Sequence, residues 1–270
     1  MPTNGPDDPE IGGVAPPLVT PFDDDGDVDH DALRELVAHL EDVETVADAA
    51  SVPVLAGTGS PGLRETERAT AAAAEAGADA ALVVTPFYYN HDQATFEAYY
   101  RELADQAPVP VYLYSVPAYT DAALTAATVG RLADHPGIAG IKDSAGDVGK
   151  LVRTVERTAD AEFNVLVGSA SVLAQALDAG AVGGIMALAN LVPGELSAVA
   201  DEHASDPATA RERNEALVQL NHAITSRFGV PGLKWAMRQR GLPAGHPRAP
   251  FTEPDAEATA TIEELLDRVH

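Results

Sequence analysis

A lysine at the end of a buried strand is the residue with the clearest chemical potential in this sequence. The run from Ile138 to Lys142 is apolar or small until it ends in Lys142. Active sites of parallel α/β barrels lie at the carboxyl ends of the strands. A partly desolvated amine there has a lowered pKa, so it can attack a carbonyl carbon. The alternative is a lysine paired with Asp143 at the rim, and these residues alone leave both interpretations open.

Lysine is scarce in the rest of the chain. Only Lys142, Lys150 and Lys234 occur among 17 lysines and arginines. Because arginine carries nearly all the other positive charge, a lysine at a strand end suggests that an amine is needed, and not only a cation.

Two groups of aromatic residues leave neighbouring strands. Tyr112 and Tyr114 are two residues apart, so they point to the same side of their strand. Tyr114 lies nearer the carboxyl end, where a buried phenol beside an amine can move protons, although a plain core tyrosine is equally compatible. The adjacent Phe87, Tyr88 and Tyr89 follow the preceding strand, and they could line a pocket or a subunit contact.

A glycine-rich segment offers a second kind of site. The six residues from Gly57 to Gly62 match G-x-G-x-x-G between a strand and a helix, as a dinucleotide site would. The next strand, however, ends in Val84-Thr85 and has no acid for a ribose. We therefore favour a tight turn with Pro61 at the first helical position. An NAD-dependent oxidoreductase stays the competing class, and it predicts that NAD quenches the fluorescence of Trp235.

Composition excludes several other functions. The chain has no cysteine, which rules out disulfides and thiol nucleophiles, and we find no metal-ligand set among its eight histidines.

A net charge of −25 argues against binding nucleic acid or an anionic membrane. Such a charge suits a protein that works in concentrated salt, where self-repulsion is screened. With no membrane span and no signal peptide in its polar start, we expect a halophilic, cytoplasmic protein.

The elements that must position these residues alternate along the chain. Short apolar runs alternate with amphipathic helical segments, and this pattern predicts parallel strands joined by right-handed crossovers. The predicted strands are Gly13–Val19, Val52–Ala56, Ala80–Val84, Pro110–Tyr114, Ile138–Lys142, Asn164–Val167 and Val182–Ala187. The helices between them run over Asp29–Ala50, Pro61–Ala76, Gln93–Asp105, Thr125–Asp134, Asp147–Thr158 and Ser171–Ala179.

This order predicts three segments. Residues 1–10 are expected to be disordered, residues 11–190 to form a parallel (β/α) barrel, and residues 191–270 to supply the last barrel helix and a helical appendage. Seven strands are predicted, where a standard barrel has eight. The long helical pattern of Asp29–Ala50 leaves no place for the missing second strand.

The motifs together resemble the dihydrodipicolinate synthase / N-acetylneuraminate lyase family, which includes 2-keto-3-deoxygluconate aldolases. The resemblance covers the chain from Ile11 to the C-terminal helices. Five segments carry it in one order: Val19–Phe22, Ala56–Ser60, Val84–Tyr89, Tyr112–Pro117 and Gly140–Asp147.

The resemblance implies a class I aldolase in a homotetramer, a dimer of dimers, that needs no cofactor or metal. Lys142 would form a Schiff base with pyruvate, and Tyr114 would donate and accept protons. Tyr88 would be the relay tyrosine that reaches across a dimer interface. Ile185 would contact pyruvate through its main chain.

Two departures from the family pattern bear on substrate binding. The Gly-Thr-Thr-Gly-Glu motif, whose threonines hold the pyruvate carboxylate in the family, is absent together with the second strand. Thr58 and Ser60 are the candidates to replace it. Synthases that make dihydrodipicolinate carry an arginine where this chain has Tyr119.

We therefore expect a pyruvate-dependent lyase that cleaves or forms a 2-keto-3-deoxy sugar acid. A 4-hydroxy-tetrahydrodipicolinate synthase, or a relative impaired by the lost motif, is the alternative.

Overall fold

The computed structural model describes residues 11–23, 25–41 and 53–269, without the side chains of residues 34 and 37–41. The strands are β1 (Gly13–Ala15), β2 (Leu55–Gly57), β3 (Ala80–Val84), β4 (Val111–Ser115), β5 (Ile138–Asp143), β6 (Asn164–Val167) and β7 (Gly183–Ile185). The α-helices are α1 (His30–Glu41), α2 (Leu63–Glu75), α3 (Gln93–Gln106), α4 (Pro117–Thr120), α5 (Ala126–Ala133), α6 (Val148–Thr158), α7 (Leu173–Asp178), α8 (Pro193–His203), α9 (Pro207–His222), α10 (Gly229–Gln239) and α11 (Ala256–Leu266).

The chain divides into two compact units. Of the described residues, the first contains 11–12, 53–168 and 175–184. The second contains the described residues of 13–41, together with 169–174 and 185–269.

The first unit is built on a parallel sheet in which β2 to β6 pair in chain order and β7 continues beside β6. The register places Val84, Tyr114, Lys142 and Leu166 side by side on successive strands. Paired residues of parallel strands share a face, so these four side chains point to the same side of the sheet. Ser115 and Asp143, one residue further on, point to the opposite side.

The core of this unit lies on that opposite side, under the helices. Val83, Leu113 and Ile141 are fully buried there. The buried Tyr100 of α3 joins this layer and donates its hydroxyl to the carbonyl of Val83 over 2.9 Å. Burial of each large apolar side chain contributes about 1.5–3 kcal/mol, which fixes the sheet against its helices.

The second unit contains β1, α1 and the C-terminal helices α8 to α11. Asp206 caps α9 through the backbone amides of Ala208 and Thr209, and Pro207 is the first helical residue. An acidic N-cap followed by proline at the first helical position is a common start of a helix. No helix in the described part of the chain is long and apolar enough to cross a membrane.

All seven predicted strands are present, and the strand count over the described ranges is seven. β1 ends at Ala15 rather than Val19 because Pro16 and Pro17 have no amide hydrogen for a ladder. The predicted disordered segment, residues 1–10, and the extension of α1 to Ala50 lie outside the described residues.

The glycine-rich segment forms a turn from β2 to α2, but our placement of Pro61 was wrong. Gly62 is the N-cap and α2 begins at Leu63, so Pro61 precedes the helix. The Thr66 hydroxyl accepts from the amide of Ser60 over 2.9 Å and thereby holds the turn. A side chain at Gly59 would overlap the backbone of Val84, so this glycine allows close packing between strands.

Candidate active site

Lys142 lies at the carboxyl end of β5 with only 5% of its surface exposed. Burial lowers the pKa of its amine to about 8, because the charged form loses its water. The Nζ atom stands 4.3 Å from the centre of the Tyr114 ring. It forms no hydrogen bond or ion pair with another described residue, so the amine is available for chemistry.

Tyr114 faces Lys142 from the neighbouring strand β4. Burial raises the pKa of its phenol, while a hydrogen bond with the Ser144 side chain acts in the opposite direction. Tyr114 therefore keeps its proton at neutral pH, with the Ser144 side chain as a hydrogen-bond partner of its phenol.

Ser144 follows β5 directly, and its amide donates to the carbonyl of Ser115 over 2.8 Å. Gly168 lies against it, since a Cβ atom at that position would overlap the Ser144 hydroxyl. The absence of a side chain at position 168 thus leaves the space that this hydroxyl occupies.

Asp143 does not pair with Lys142, which removes the alternative left open by the sequence. It points to the helix side of the sheet and binds Lys150 of α6, with 2.6 Å between Oδ2 and Nζ. Both residues of this ion pair are buried. The charge of Asp143 is therefore neutralised away from the Lys142 amine.

The third lysine, Lys234, is also buried and has a pKa lowered to about 8, mainly by burial and further by Arg238 and Arg248. Its amine donates to the carbonyls of Thr20, over 2.5 Å, and His246, over 3.1 Å. Of the three lysines, Lys142 alone combines burial with an amine that no described oxygen holds.

The other predicted site residues lie in different surroundings. Tyr88 is 74% exposed in the segment after β3 and packs edge-on against Tyr89, with the ring centres 4.9 Å apart. Ile185 ends β7, is buried and belongs to the second unit.

Thr58 points away from Lys142. The Thr58 hydroxyl bonds the Thr70 hydroxyl of α2 over 2.9 Å, so it points to the helix layer. The Thr58 hydroxyl is therefore not directed to the side of the sheet on which Lys142 lies, while a carboxylate-binding role of Ser60 stays a prediction. The cause is strand alternation. Gly57 shares a face of the sheet with Leu82 and Tyr112, which is also the face of Tyr114 and Lys142. Thr58 is the next residue, so its side chain points to the opposite face.

A cavity of about 390 Å³ opens at the other end of the strands, where Ile138 and Asn164 begin β5 and β6. It holds none of the predicted catalytic residues. Over the ranges that the structure describes, no three histidine, aspartate or glutamate residues are grouped so that they could hold a metal ion.

Comparison with known proteins shows the family to which this chain belongs. The sequence model of the dihydrodipicolinate synthetase family matches residues 39–269. The chain belongs to this family.

Three similar proteins illustrate the relationship. A 4-hydroxy-tetrahydrodipicolinate synthase of Methanothrix thermoacetophila is 32% identical over 95% of this chain and 96% of its own length. One of Haloarcula marismortui is 33% identical over 95% and 93%, respectively. The solved chloride-inhibited dihydrodipicolinate synthase of Acinetobacter baumannii, complexed with pyruvate, is 29% identical, with a TM-score of 0.86 over 96% of this chain and 98% of its own.

Membership of the dihydrodipicolinate synthetase family establishes a class I aldolase-type lyase that depends on pyruvate. It also confirms the α/β barrel type of fold that the resemblance implied. The same membership decides against the dinucleotide-binding oxidoreductase that the glycine-rich segment left as an alternative.

The alignment with the Methanothrix thermoacetophila synthase is longer than the part of this chain that it covers. It extends over 284 positions, but 95% of this 270-residue chain is only about 257 residues. About 27 aligned positions therefore have no counterpart in this chain.

Sequence reasoning missed Ser144 and the Asp143–Lys150 pair. Period-two alternation carried part of the signal, since Ser144 lies two residues after Lys142 and so on its side of the strand. Lys150 has no such signal, because its partner is set by how α6 packs on the sheet.

Proposed function

We propose that Lys142 forms a Schiff base with pyruvate. The uncharged amine attacks the keto carbon, the carbonyl oxygen leaves as water, and a protonated imine results. The imine withdraws electrons from the adjacent methyl group, whose proton passes to a base. The enamine that remains attacks an aldehyde and forms a carbon–carbon bond. The observation that carries this proposal is the buried, unengaged Lys142 amine 4.3 Å from the Tyr114 ring centre.

Tyr114 and Ser144 form the proton path in this proposal. The family's threonine, which would link to the tyrosines, is absent from the sequence, and Ser144 supplies a hydroxyl to Tyr114 instead. A phenol with a raised pKa releases its proton only when a partner takes it up, so a hydroxyl relay suits both directions of transfer.

The partner of this chain in solution is proposed to be a second copy. The exposed Tyr88 would enter a neighbouring site as the relay tyrosine of a homotetramer, a dimer of dimers. Its 74% exposure leaves the ring free for such a contact.

The aldehyde partner is proposed to lack a second carboxylate, as in the formation of a 2-keto-3-deoxy sugar acid. The residue in the place of the synthases' arginine is Tyr119, which is 78% exposed and has no charge to pair with a carboxylate. The second candidate is 4-hydroxy-tetrahydrodipicolinate synthase, which the names of the relatives favour.

Paired assays distinguish the two candidates. The protein is incubated with pyruvate and either D-glyceraldehyde or aspartate semialdehyde, and carbon–carbon products are followed by mass spectrometry. The sugar-acid proposal expects a higher kcat/KM with glyceraldehyde. Faster turnover of aspartate semialdehyde would establish the synthase instead. A Tyr119→Arg variant should shift the preference toward the semialdehyde, since arginine binds carboxylates in a bidentate manner.

A further inference from the structure

Lys150 bridges two strands behind the candidate site. Its amine lies 2.6 Å from Asp143 Oδ2 on β5 and 3.4 Å from Ser115 Oγ on β4. All three side chains are buried. Lys150 belongs to the first turns of α6, so one helix residue holds the carboxyl ends of two adjacent strands.

The two bridged residues occupy special places in the register. Ser115 directly follows Tyr114 on β4, and Asp143 directly follows Lys142 on β5. In the register of these strands, Tyr114 is paired with Lys142 and Ser115 is paired with Asp143. A small slide of one strand past the other would change the bridge and the Lys142–Tyr114 distance together.

Both anchors are fixed by further hydrogen bonds. Asp143 Oδ1 accepts from the amide of Ala145 over 2.9 Å, and Ser115 Oγ accepts from the amide of Leu124 over 3.3 Å. The bridge therefore connects parts that cannot rotate freely.

We propose that Lys150 is a positioning residue that sets the geometry of Lys142 against Tyr114 through Asp143 and Ser115. This inference rests on the proposed Schiff-base function. A buried ion pair is often no more stabilising than an apolar pair of the same size. The Lys150 bridge joins Asp143 and Ser115, the residues that follow the two reacting side chains. We therefore assign to it the alignment of these side chains rather than a gain in stability.

The test uses two partial reactions that need only pyruvate. Borohydride traps the Lys142 adduct and reports imine formation. Exchange of the pyruvate methyl hydrogens for deuterium, followed by NMR, reports proton transfer to and from the enamine. Four variants are compared with the wild type: Lys150→Met, Asp143→Asn/Lys150→Met, Lys150→Arg, and Arg153→Met as a control on the exposed side of the same helix.

The double variant guards against loss of folding, because it leaves no unpaired buried charge. We expect methyl exchange to fall about tenfold or more in both Met variants, since a misplacement of about 1 Å costs up to about 100-fold. The trapped adduct should stay within about threefold of the wild type. Lys150→Arg, which can still reach an acid and a hydroxyl, should restore most of the exchange.

Three results would overturn the inference. Exchange in the double variant equal to that of Arg153→Met would show that the bridge does not align the site. Adduct and exchange that fall together, in proportion to the folded fraction, would reduce Lys150 to a stabilising role. Absence of any wild-type adduct would refute the Schiff-base function itself and the inference with it, whereas the first two results leave that function intact.

Discussion

The amine of Lys142 lies over the ring of Tyr114, 4.3 Å from its centre, because the two residues are paired in register on adjacent parallel strands. This arrangement shields the amine from water and places it over the face of the phenol ring rather than beside a carboxylate. A nucleophile and a proton-transfer group are thus held side by side by the sheet itself.

Removal of the Tyr114 hydroxyl should slow proton transfer and spare imine formation. Tyr114→Phe keeps the ring under the amine, so the borohydride-trapped adduct should persist. Methyl hydrogen exchange of pyruvate should fall about 10²–10⁴-fold, the usual contribution of a general acid–base group. Exchange at the wild-type rate would make Tyr114 a packing residue.

Loss of the Ser144 hydroxyl should have a smaller effect of the same kind. Ser144→Ala is expected to reduce methyl exchange about tenfold, as one hydrogen bond of about 1–1.5 kcal/mol to the phenol is lost. Ser144→Thr retains the hydroxyl and should keep most of the exchange.

Gly168→Ala tests the same hydroxyl from the other side. Its new methyl group would occupy the place of Ser144 Oγ, so the hydroxyl must move. We expect Gly168→Ala to resemble Ser144→Ala in the exchange assay. In the double variant the second change should add little. Independent, additive losses would show that Gly168 and Ser144 do not act together.

The rate of adduct formation should depend on pH with a midpoint near 8. Burial lowers the pKa of Lys142 to about 8, and only the uncharged amine attacks the keto carbon. The initial rate should therefore rise with pH below that value and level off above it. The measurement is the rate of adduct at Lys142, located by peptide mass mapping. A rate that keeps rising tenfold per pH unit beyond pH 9 would indicate an unburied amine.

Stability should depend strongly on salt. With a net charge of −25, self-repulsion opposes folding, and the screening length falls from about 10 Å at 0.1 M to about 3 Å at 1 M salt. Tm, measured by differential scanning fluorimetry, should rise between dilute buffer and molar KCl. Sucrose of equal osmolality serves as the control, since it does not screen charge. An equal rise in sucrose, or a flat response to KCl, would remove the halophilic interpretation.

Much of the fold could be predicted from the sequence, because buried parallel strands have a strong local signal. Ala80–Val84 and Asn164–Val167 coincide with the observed strands, and the pairing of Tyr114 with Lys142 follows once both stand at strand ends. The short helix α4 was missed, since Pro117 was interpreted only as part of a strand exit. Hydrophobic periodicity does not detect a four-residue helix of this kind.

The candidate site was predicted less completely than the fold. Thr58 was a candidate to replace the missing carboxylate-binding threonines, but strand alternation directs its hydroxyl to Thr70. The partner of Asp143 depends on which residue of α6 faces the sheet end, a tertiary property with no local signature. Lys150 thus entered the sequence interpretation only as one of three lysines.

Trapping of pyruvate on a single lysine tests the central claim most directly. Wild type, Lys142→Met, Lys150→Met and Lys234→Met are each incubated with pyruvate and borohydride, and the intact mass and the modified peptide are determined. The account predicts one reduced adduct at Lys142 in every form except Lys142→Met, where it disappears while the protein stays folded by circular dichroism. An adduct that survives in Lys142→Met, or that maps to Lys234, would contradict it.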